Sequence, residues 1–475
     1  MSDLIDAVAN WKIEATREDP DRFFWQPDTF SQIEGGEVQF VLGRKGTGKT
    51  AISHRLYSKK EYNRFATKLD FKSFPFEIIY RLSDTSYSNP HQYISAWRFV
   101  ILSQLARLMA GNAAIDPKVR EDFNAQFGGD SESPRKLVGS QFERSFGISI
   151  ASIGSIQGGQ KPVVESKDWW AVLDDLEEKI RTNIDDSKYY LLFDALDEDY
   201  KDMLDAKSKD QYLSLITGLF KAADNVRQLF SDFNVFPIVF LRSDIFDLIS
   251  DSDRNKWSDY SVTIDWTLES IKRLLAFRIA RSTDAQAEPE NFDEEWAKLF
   301  KQQNIRYRGR TQKIIEFLAV RTFMRPRDFV FYMRECARVS RDKGLKRVSR
   351  VEAFYSAPQL SNHMLRELID EIHPLIPETD SVFEVLQRVC RFRATFPFED
   401  FRAAFDEDKA RGFLSPDYAL SPEAVMRFLY YFGAVGNRTA RATYFRLQRR
   451  FTDLDFDQPI TIHASLYSAL GVAKA

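Results

Sequence analysis

The chain has 475 residues, 44% of them hydrophobic and 29% charged, a globular balance with room for two or three domains. A net charge of −3 gives no bulk electrostatic pull toward nucleic acid or membrane. Two isolated cysteines, Cys336 and Cys390, and five scattered histidines exclude a disulfide framework and a cysteine or histidine metal site.

Residues 1–19 (MSDLIDAVANWKIEATRED) carry neither a basic start nor an apolar stretch of the secretory kind. No run approaches the roughly 20 apolar residues that span a bilayer. The expectation is a cytoplasmic protein that makes no use of a membrane. Residues 1–30 form an N-terminal extension whose Trp11, Phe23, Phe24 and Trp25 pack either on the core or on a neighbouring subunit.

Residues 37–42 (EVQFVL) read as a short buried strand, and the next turn, GRKGTGKT at 43–50, matches G-x-x-x-x-G-K-[ST] in full. Glycines let backbone N–H groups close around a phosphate chain, and the following helix adds the positive end of its dipole. Gly43, Arg44, Lys45, Gly46, Thr47, Gly48, Lys49, Thr50 and Ala51 are therefore the candidate nucleotide-binding residues. Lys49 is placed for the β- and γ-phosphates and Thr50 for Mg²⁺. AISHRLYSKKEYNRFA predicts a helix over 51–66, and PFEIIYRLS predicts a strand over 75–83. Residues 112–166 include FGGDSESPRK and the low-complexity stretch SFGISIASIGSIQGG, which read as an insertion, either a hairpin or a flexible loop.

YYLLFDALDE at 189–198 reads as a buried strand ending in acid. Asp194 at its carboxyl end is the candidate second metal ligand, and Asp197 and Glu198 are placed to orient or deprotonate a water. The alternative for those two is a solvated helix start, where acids are favoured. A further strand, VFPIVFL at 235–241, ends in Arg242, a candidate γ-phosphate sensor or else a salt-bridge partner of Asp244 or Asp194. YSVTIDW at 260–266 gives a fifth strand. Strands alternating with helices predict a parallel α/β sheet with ligand-binding residues at the strand ends.

Residues 301–350 hold fifteen Lys or Arg against four Asp or Glu, a local net charge of +11. Helical periodicity there is interrupted at Arg325-Pro326-Arg327, and proline suits the first turn of a new helix. From about residue 380, SVFEVLQRVCRF, FPFEDFRAAF and SPEAVMRFLYYFGAV predict three short helices. RATYFRLQRRFT then alternates as a strand after a turn at Gly436-Asn437, which together suggest a winged helix. Arg438, Arg441, Arg446, Arg449 and Arg450, with no acid between them, suit either a DNA backbone or a protein partner.

The acidic strand with D-A-L-D-E resembles the signal-transduction ATPases with numerous domains, including the NACHT group. The order of parts is similar to that of the origin-recognition and KAP-type ATPases, and GRKGTGKTA resembles a group of bacterial P-loop ATPases encoded near genome-defence genes. The resemblance implies an α/β P-loop NTPase core with a helical lid and a C-terminal winged-helix-like domain. It divides the chain at 1–30, 31–266, 267–375 and 376–475, with the insertion inside the second part. It also implies an Mg²⁺-dependent, ATP-hydrolysing switch that oligomerises, with a role in anti-phage or mobile-DNA defence. In such a lid, Arg325 and Arg327 become candidate sensors of ATP, with a DNA-phosphate contact or a solvated basic face as alternatives. Two features depart from the pattern: 145 residues separate Lys49 from Asp194, and no repeat array follows to detect a signal, so the switch is expected to work with a partner protein. A DNA-dependent motor or loader that uses the basic 301–350 segment and the 438–450 arginines is the alternative reading. A small-molecule kinase and a non-hydrolysing scaffold stand further off.

Overall fold

A computed structural model describes residues 2–70, 79–80, 93–128, 139–141, 144–145, 166–199, 205–289, 291–307, 309–446 and 452–472, without the side chains of 2–3, 166–169 and 198–199. Five parallel strands form the central sheet: β1 (Phe40–Gly43), β2 (Arg64–Asp70), β3 (Lys188–Asp194), β4 (Val235–Arg242) and β5 (Ser261–Thr263). Their order is β2-β3-β4-β1-β5, so β4 lies between the strand of the phosphate loop and the strand of Asp194.

The strands are apolar on both sides because both faces are covered. Along β3, Tyr189, Leu191 and Phe193 join the main core, while Tyr190 and Leu192 join a smaller one with Phe30, Ile33, Val41 and Ile52. That is the two-residue period of a strand shared between two layers. The helix Lys49–Ser58 covers one face, and helices Ile94–Ala110 and Ala206–Leu229 cover the other. The last two approach closely at Gly218, where a Cβ would lie 2.8 Å from that of Tyr93.

Several expected boundaries move. The phosphate-loop helix ends at Ser58 rather than 66, because Arg64 to Asp70 enters the sheet as β2 beside β3. Arg64 fixes that entry, donating to the Leu56 carbonyl at 3.1 Å with its guanidinium 3.9 Å from the Tyr190 ring. Of the strand expected at 75–83, only Ile79 and Tyr80 are described, and they are helical. Within 112–166, Pro117–Phe127 is a helix capped by Asp116, with Phe123 and Phe127 buried in the main core, so this part is neither hairpin nor flexible loop. The low-complexity stretch lies outside the described residues.

Residues 268–372 form a helical unit, from Leu268–Thr283 through Pro326–Asp342 to Ala357–Ile372. Its described residues include a hairpin, β6 (Asn304–Tyr307) and β7 (Arg310–Lys313). Helix Ser2–Ala9 packs on this unit through Ile5 and Val8. The Trp11 indole donates to Ser282 Oγ at 3.0 Å, and the Arg278 guanidinium grips Glu18 at 2.9 and 2.5 Å. The N-terminal extension thus packs within the same chain.

The last unit holds helices Thr379–Cys390, Phe398–Arg411 and Pro422–Tyr431. Strands β8 (Thr395–Phe396), β9 (Val435–Arg438), β10 (Thr443–Tyr444) and β11 (Ile460–Ile462) form an antiparallel sheet in the order β10-β9-β11-β8. Gly436 and Asn437 lie inside β9, not in a turn. A Cβ on Gly436 would meet the Tyr444 carbonyl at 2.4 Å, so the glycine serves close strand pairing, and the chain reverses at 439–442 instead.

Candidate functional site

The carboxyl ends of four neighbouring strands stand in a row. Asp70 pairs with Asp194 in register, and Gly43 pairs with Arg242. Past Gly43 the backbone turns at Gly46 (φ 85°) and Gly48 (φ 104°), a left-handed geometry that glycine adopts without a Cβ penalty. Gly48 is also the N-cap of the helix Lys49–Ser58. The loop is held from outside: Trp266 Nε1 donates to the Thr47 carbonyl at 2.8 Å, and Arg325 Nη1 donates to the Lys45 carbonyl at 3.1 Å.

Lys49 is half-buried and donates to the Gly43 carbonyl at 2.7 Å and the Arg44 carbonyl at 3.1 Å. Burial, helped by Arg242, lowers its pKa, against the opposing pull of Asp197, Asp194 and Asp244. Thr50 Oγ1 lies 3.5 Å from Asp194 Oδ1, and Ser53 Oγ donates to Oδ2 at 2.7 Å. The sequence reading did not foresee Lys68 on β2, whose ammonium is 2.9 Å from Asp194 Oδ2. Burial pushes Asp194 up, yet Lys68 and the hydroxyl of Ser53 more than offset this and hold it below the usual carboxylate range. A hydroxyl and a carboxylate converging within 3.5 Å are hard oxygen donors that fit Mg²⁺, with Lys68 as a counter-charge at its back. The next residue, Ala195, sits at φ 58°, which costs a non-glycine residue about 1–2 kcal/mol.

Asp197 Oδ2 lies 3.5 Å from Arg242 Nη1, while the side chain of Glu198 lies outside the described residues. Arg242 makes the salt bridge weighed as its alternative, binding Asp244 in a fork at 3.1 and 2.7 Å. Burial works against its charge, but Asp244 and Glu371 outweigh it and keep the guanidinium firmly protonated.

The two arginines read as lid sensors separate. Arg325 is 1% exposed, held by Asp328 at 3.0 Å and by Glu371 at 3.5 Å. Arg327, paired with Glu367 at 2.9 Å, lies over the loop with its Cβ 3.3 Å from where a Gly46 Cβ would stand. Sequence reasoning missed Glu367 and Glu371, one helical turn apart on Ala357–Ile372. Glu371 is fully buried and faces Arg44 at 3.4 Å, Arg325 at 3.5 Å and Arg242 at 4.0 Å. Glu367 also lies 4.0 Å from Lys45. These carboxylates tie the helical unit to the phosphate loop and to the tip of β4.

A cavity of about 370 Å³ opens above the loop. Its wall includes Lys49, Thr50, Asp194 and Arg327, but neither Arg242 nor Arg325. Much of the rest comes from residues 12–27, with Trp25 tilted against Trp266 at 5.5 Å between ring centroids. The N-terminal extension is therefore part of the site, which its loose cluster of aromatics did not announce.

A family model matches in the helical unit. It is described as the FunZ-associated C-terminal helical domain and covers residues 269–369. No curated protein matches the chain. Among solved structures, the chain is similar to the Aeropyrum pernix Orc1 protein in complex with DNA, at 12% identity and a TM-score of 0.40 over 97% of this chain and 96% of that one. It is similar to Cdc6p from Pyrobaculum aerophilum at 11% identity and a TM-score of 0.35, over 98% and 95%. Drosophila ORC bound to DNA gives 11% and 0.32, over 99% and 91%. Scores this low mark a loose likeness.

Of the arginines read as a wing, Arg438 and Arg441 are exposed, while the Arg446 guanidinium lies 4.4 Å from the Tyr431 ring centroid. Arg449 and Arg450 lie outside the described residues. Among the described residues no helix is long and apolar enough to cross a membrane.

Proposed function

We propose that the chain is an Mg²⁺-dependent ATPase that uses nucleotide binding as a switch. The observation that carries this is the convergence of Thr50, next to Lys49 at the start of one helix, on Asp194 at a separate strand tip, beside a cavity of about 370 Å³ that Lys49 also lines. Residues 43–51 wrap the phosphates, with Lys49 released from its carbonyl partners to meet the β- and γ-oxygens. Thr50 and Asp194 hold the metal, which supplies charge neutralisation at the phosphates when bound. Asp197, steadied by Arg242, and Glu198 orient the attacking water. Arg327 reaches over the loop from the lid, whereas Arg325 acts through Lys45 and Glu371 rather than on the phosphates. Trp25 and Trp266 give the base an aromatic wall.

On this reading the chain divides at 1–30, 31–266, 267–375 and 376–475, the last part being winged-helix-like. Self-assembly and a role in anti-phage or mobile-DNA defence follow from the resemblance of GRKGTGKTA and DALDE to switch ATPases, while a protein partner is drawn from the lack of a sensor repeat array and a cytoplasmic location from the two lone cysteines. The net charge of +11 over 301–350 favours a second reading, a DNA-dependent motor or loader.

The test is ATP turnover by the purified chain, with and without double-stranded DNA, against Lys49→Ala. Slow turnover indifferent to DNA is expected of the switch. A DNA-induced rise of about tenfold, or 1.4 kcal/mol in the barrier, would favour the second reading. Turnover no greater than that of Lys49→Ala would overturn autonomous hydrolysis.

A further inference from the structure

A second cavity, a cleft of about 1700 Å³, lies between the central sheet, the helical unit and the C-terminal unit, and its wall includes none of Lys49, Thr50 and Asp194. One side of it is a face of the C-terminal sheet. Thr443 pairs with Arg438 and Thr461 with Gly436, so these residues share a face, and Phe445 and His463 extend it two positions along. The rings of Phe445 and His463 meet edge to face at 4.7 Å between centroids. The opposite face, with Val435, Ile460 and Ile462, is buried in the core. Across the cleft stand Ser261 and Thr263 of β5, the edge strand of the central sheet, and the helix Ser243–Leu248.

His463 is 8% exposed and lines the cleft. Ser465 donates its N–H to Nδ1 at 3.2 Å, so the ring proton sits on Nε2, and Nε2–H has no partner among the described residues. Burial, helped by Arg44, lowers the pKa of the ring to about 3 and keeps it neutral. Arg438 is exposed and Arg446 half-buried, both line the cleft, and neither forms an ion pair with a described residue. The carboxylates of the cleft are engaged. Arg242 takes Asp244, Arg254 and the Tyr431 hydroxyl take Asp247, and Asp265 also interacts with a neighbour.

Two arginines without carboxylates and a fixed N–H donor are placed for an anion. Pockets for small ligands enclose about 300–1,000 Å³. The cleft is larger and sets its donors among Phe246, Phe323 and Phe445, so charge and size together fit an acidic, partly apolar chain segment. The cleft also touches the phosphate loop. Arg44 Nη2 donates to the Phe432 carbonyl at 3.0 Å, and the guanidinium lies 5.4 Å from the Phe323 ring, itself 4.9 Å from His463. Met324, next in the chain, stands at φ 57°, and Arg325 after it holds the Lys45 carbonyl. We propose that the cleft takes an acidic segment of a partner protein and that its occupancy is felt at the phosphate loop, this second half resting on the nucleotide reading above.

Short peptides selected from a random phage-displayed library on the full chain, without nucleotide, test the docking half, with fluorescence anisotropy of the selected peptides as the readout. They are expected to be rich in Asp and Glu. Arg438→Glu with Arg446→Glu is expected to weaken them at least about tenfold. His463→Phe keeps a ring against Phe445 and removes the donor, and is expected to weaken them about fivefold. Thermal midpoints serve as the folding control, and if His463→Phe does not fold, the arginine pair decides. Selected peptides without acidic enrichment, or binding the arginine variant as well as the parent, would overturn the docking site. So would inorganic pyrophosphate displacing the peptide while citrate at equal concentration does not, which would mark a site for a small phosphate ligand. For the coupling half, bound peptide is expected to change the affinity for a fluorescent ATP analogue about fivefold or more. An analogue bound equally with and without peptide would overturn the coupling, whereas an analogue that does not bind at all would overturn the nucleotide reading and leave the docking result standing.

Discussion

Glu371 is fully buried among guanidiniums from three segments, so its replacement by Gln tests how the helical unit is tied to the phosphate loop. The substitution keeps the shape and removes the charge. At 3.4–4.0 Å the gross attraction to one guanidinium is about 4–5 kcal/mol at an effective dielectric of about 20. Arg242 keeps Asp244 and Arg325 keeps Asp328, so most of the loss falls on Arg44, whose remaining bond is to the Phe432 carbonyl at 3.0 Å. Breaking a buried pair costs about 3–5 kcal/mol, and with two partners retained the lower end, about 3 kcal/mol, is expected. Urea unfolding at pH 7 measures this.

The acid dependence supplies a second readout. Burial raises the Glu371 pKa, but Arg44, Arg242 and Arg325 more than offset it and bring it below the ordinary 4.5. A carboxylate depressed in the folded state stabilises fully above the unfolded value, and that contribution fades as pH falls from about 4.5 through the folded value. Glu371→Gln should therefore narrow its deficit as pH is lowered through that window. A deficit under about 1 kcal/mol at pH 7, or one that does not narrow in acid, would refute the reasoning.

Lys68→Met removes the ammonium 2.9 Å from Asp194, so the Mg²⁺ concentration that half-saturates nucleotide binding should fall about tenfold. An unchanged Mg²⁺ titration would mean that Lys68 plays no part at the metal. Arg278→Met breaks the nearly buried pair with Glu18 and should loosen residues 12–27, seen as faster proteolytic nicking there and weaker binding of a fluorescent ATP analogue. Trp266→Phe removes the indole donor to the Thr47 carbonyl but keeps a ring on the cavity wall. It should weaken nucleotide binding by about fivefold, the worth of one hydrogen bond, as read by calorimetry.

What the sequence disclosed depended on whether neighbours in the site are neighbours in the chain. The phosphate loop is local, with glycines, Lys49 and Thr50 fixed by spacing alone, and it stands where expected. Asp194 was visible because a run of buried strand residues ends on it. Glu371 was not, since 327 residues separate it from Arg44 and on its own helix it flanks an ordinary apolar stripe of Leu360, Met364, Leu368 and Ile372. Lys68 looked like one more lysine after a helix because β2 itself was missed in favour of 75–83. The pair Gly436-Asn437 misled for a related reason: glycine also marks close strand pairing, and only the partner strand tells the two uses apart.

The N-terminal strap has a consequence for synthesis. Arg22 finds its carbonyl acceptor on Arg281, 259 residues later, and the Ala9 carbonyl meets Arg338 after 329. At about 5–20 residues per second, the ribosome takes roughly 13–66 s to make those stretches. Through that interval the apolar side of Ser2–Ala9 and the ring of Trp11 have no native surface to cover them. One wall of the cavity above the loop is thus the earliest part of the candidate site to be translated and among the last to be seated, so a nascent chain that already holds residues 43–50 still lacks a complete pocket.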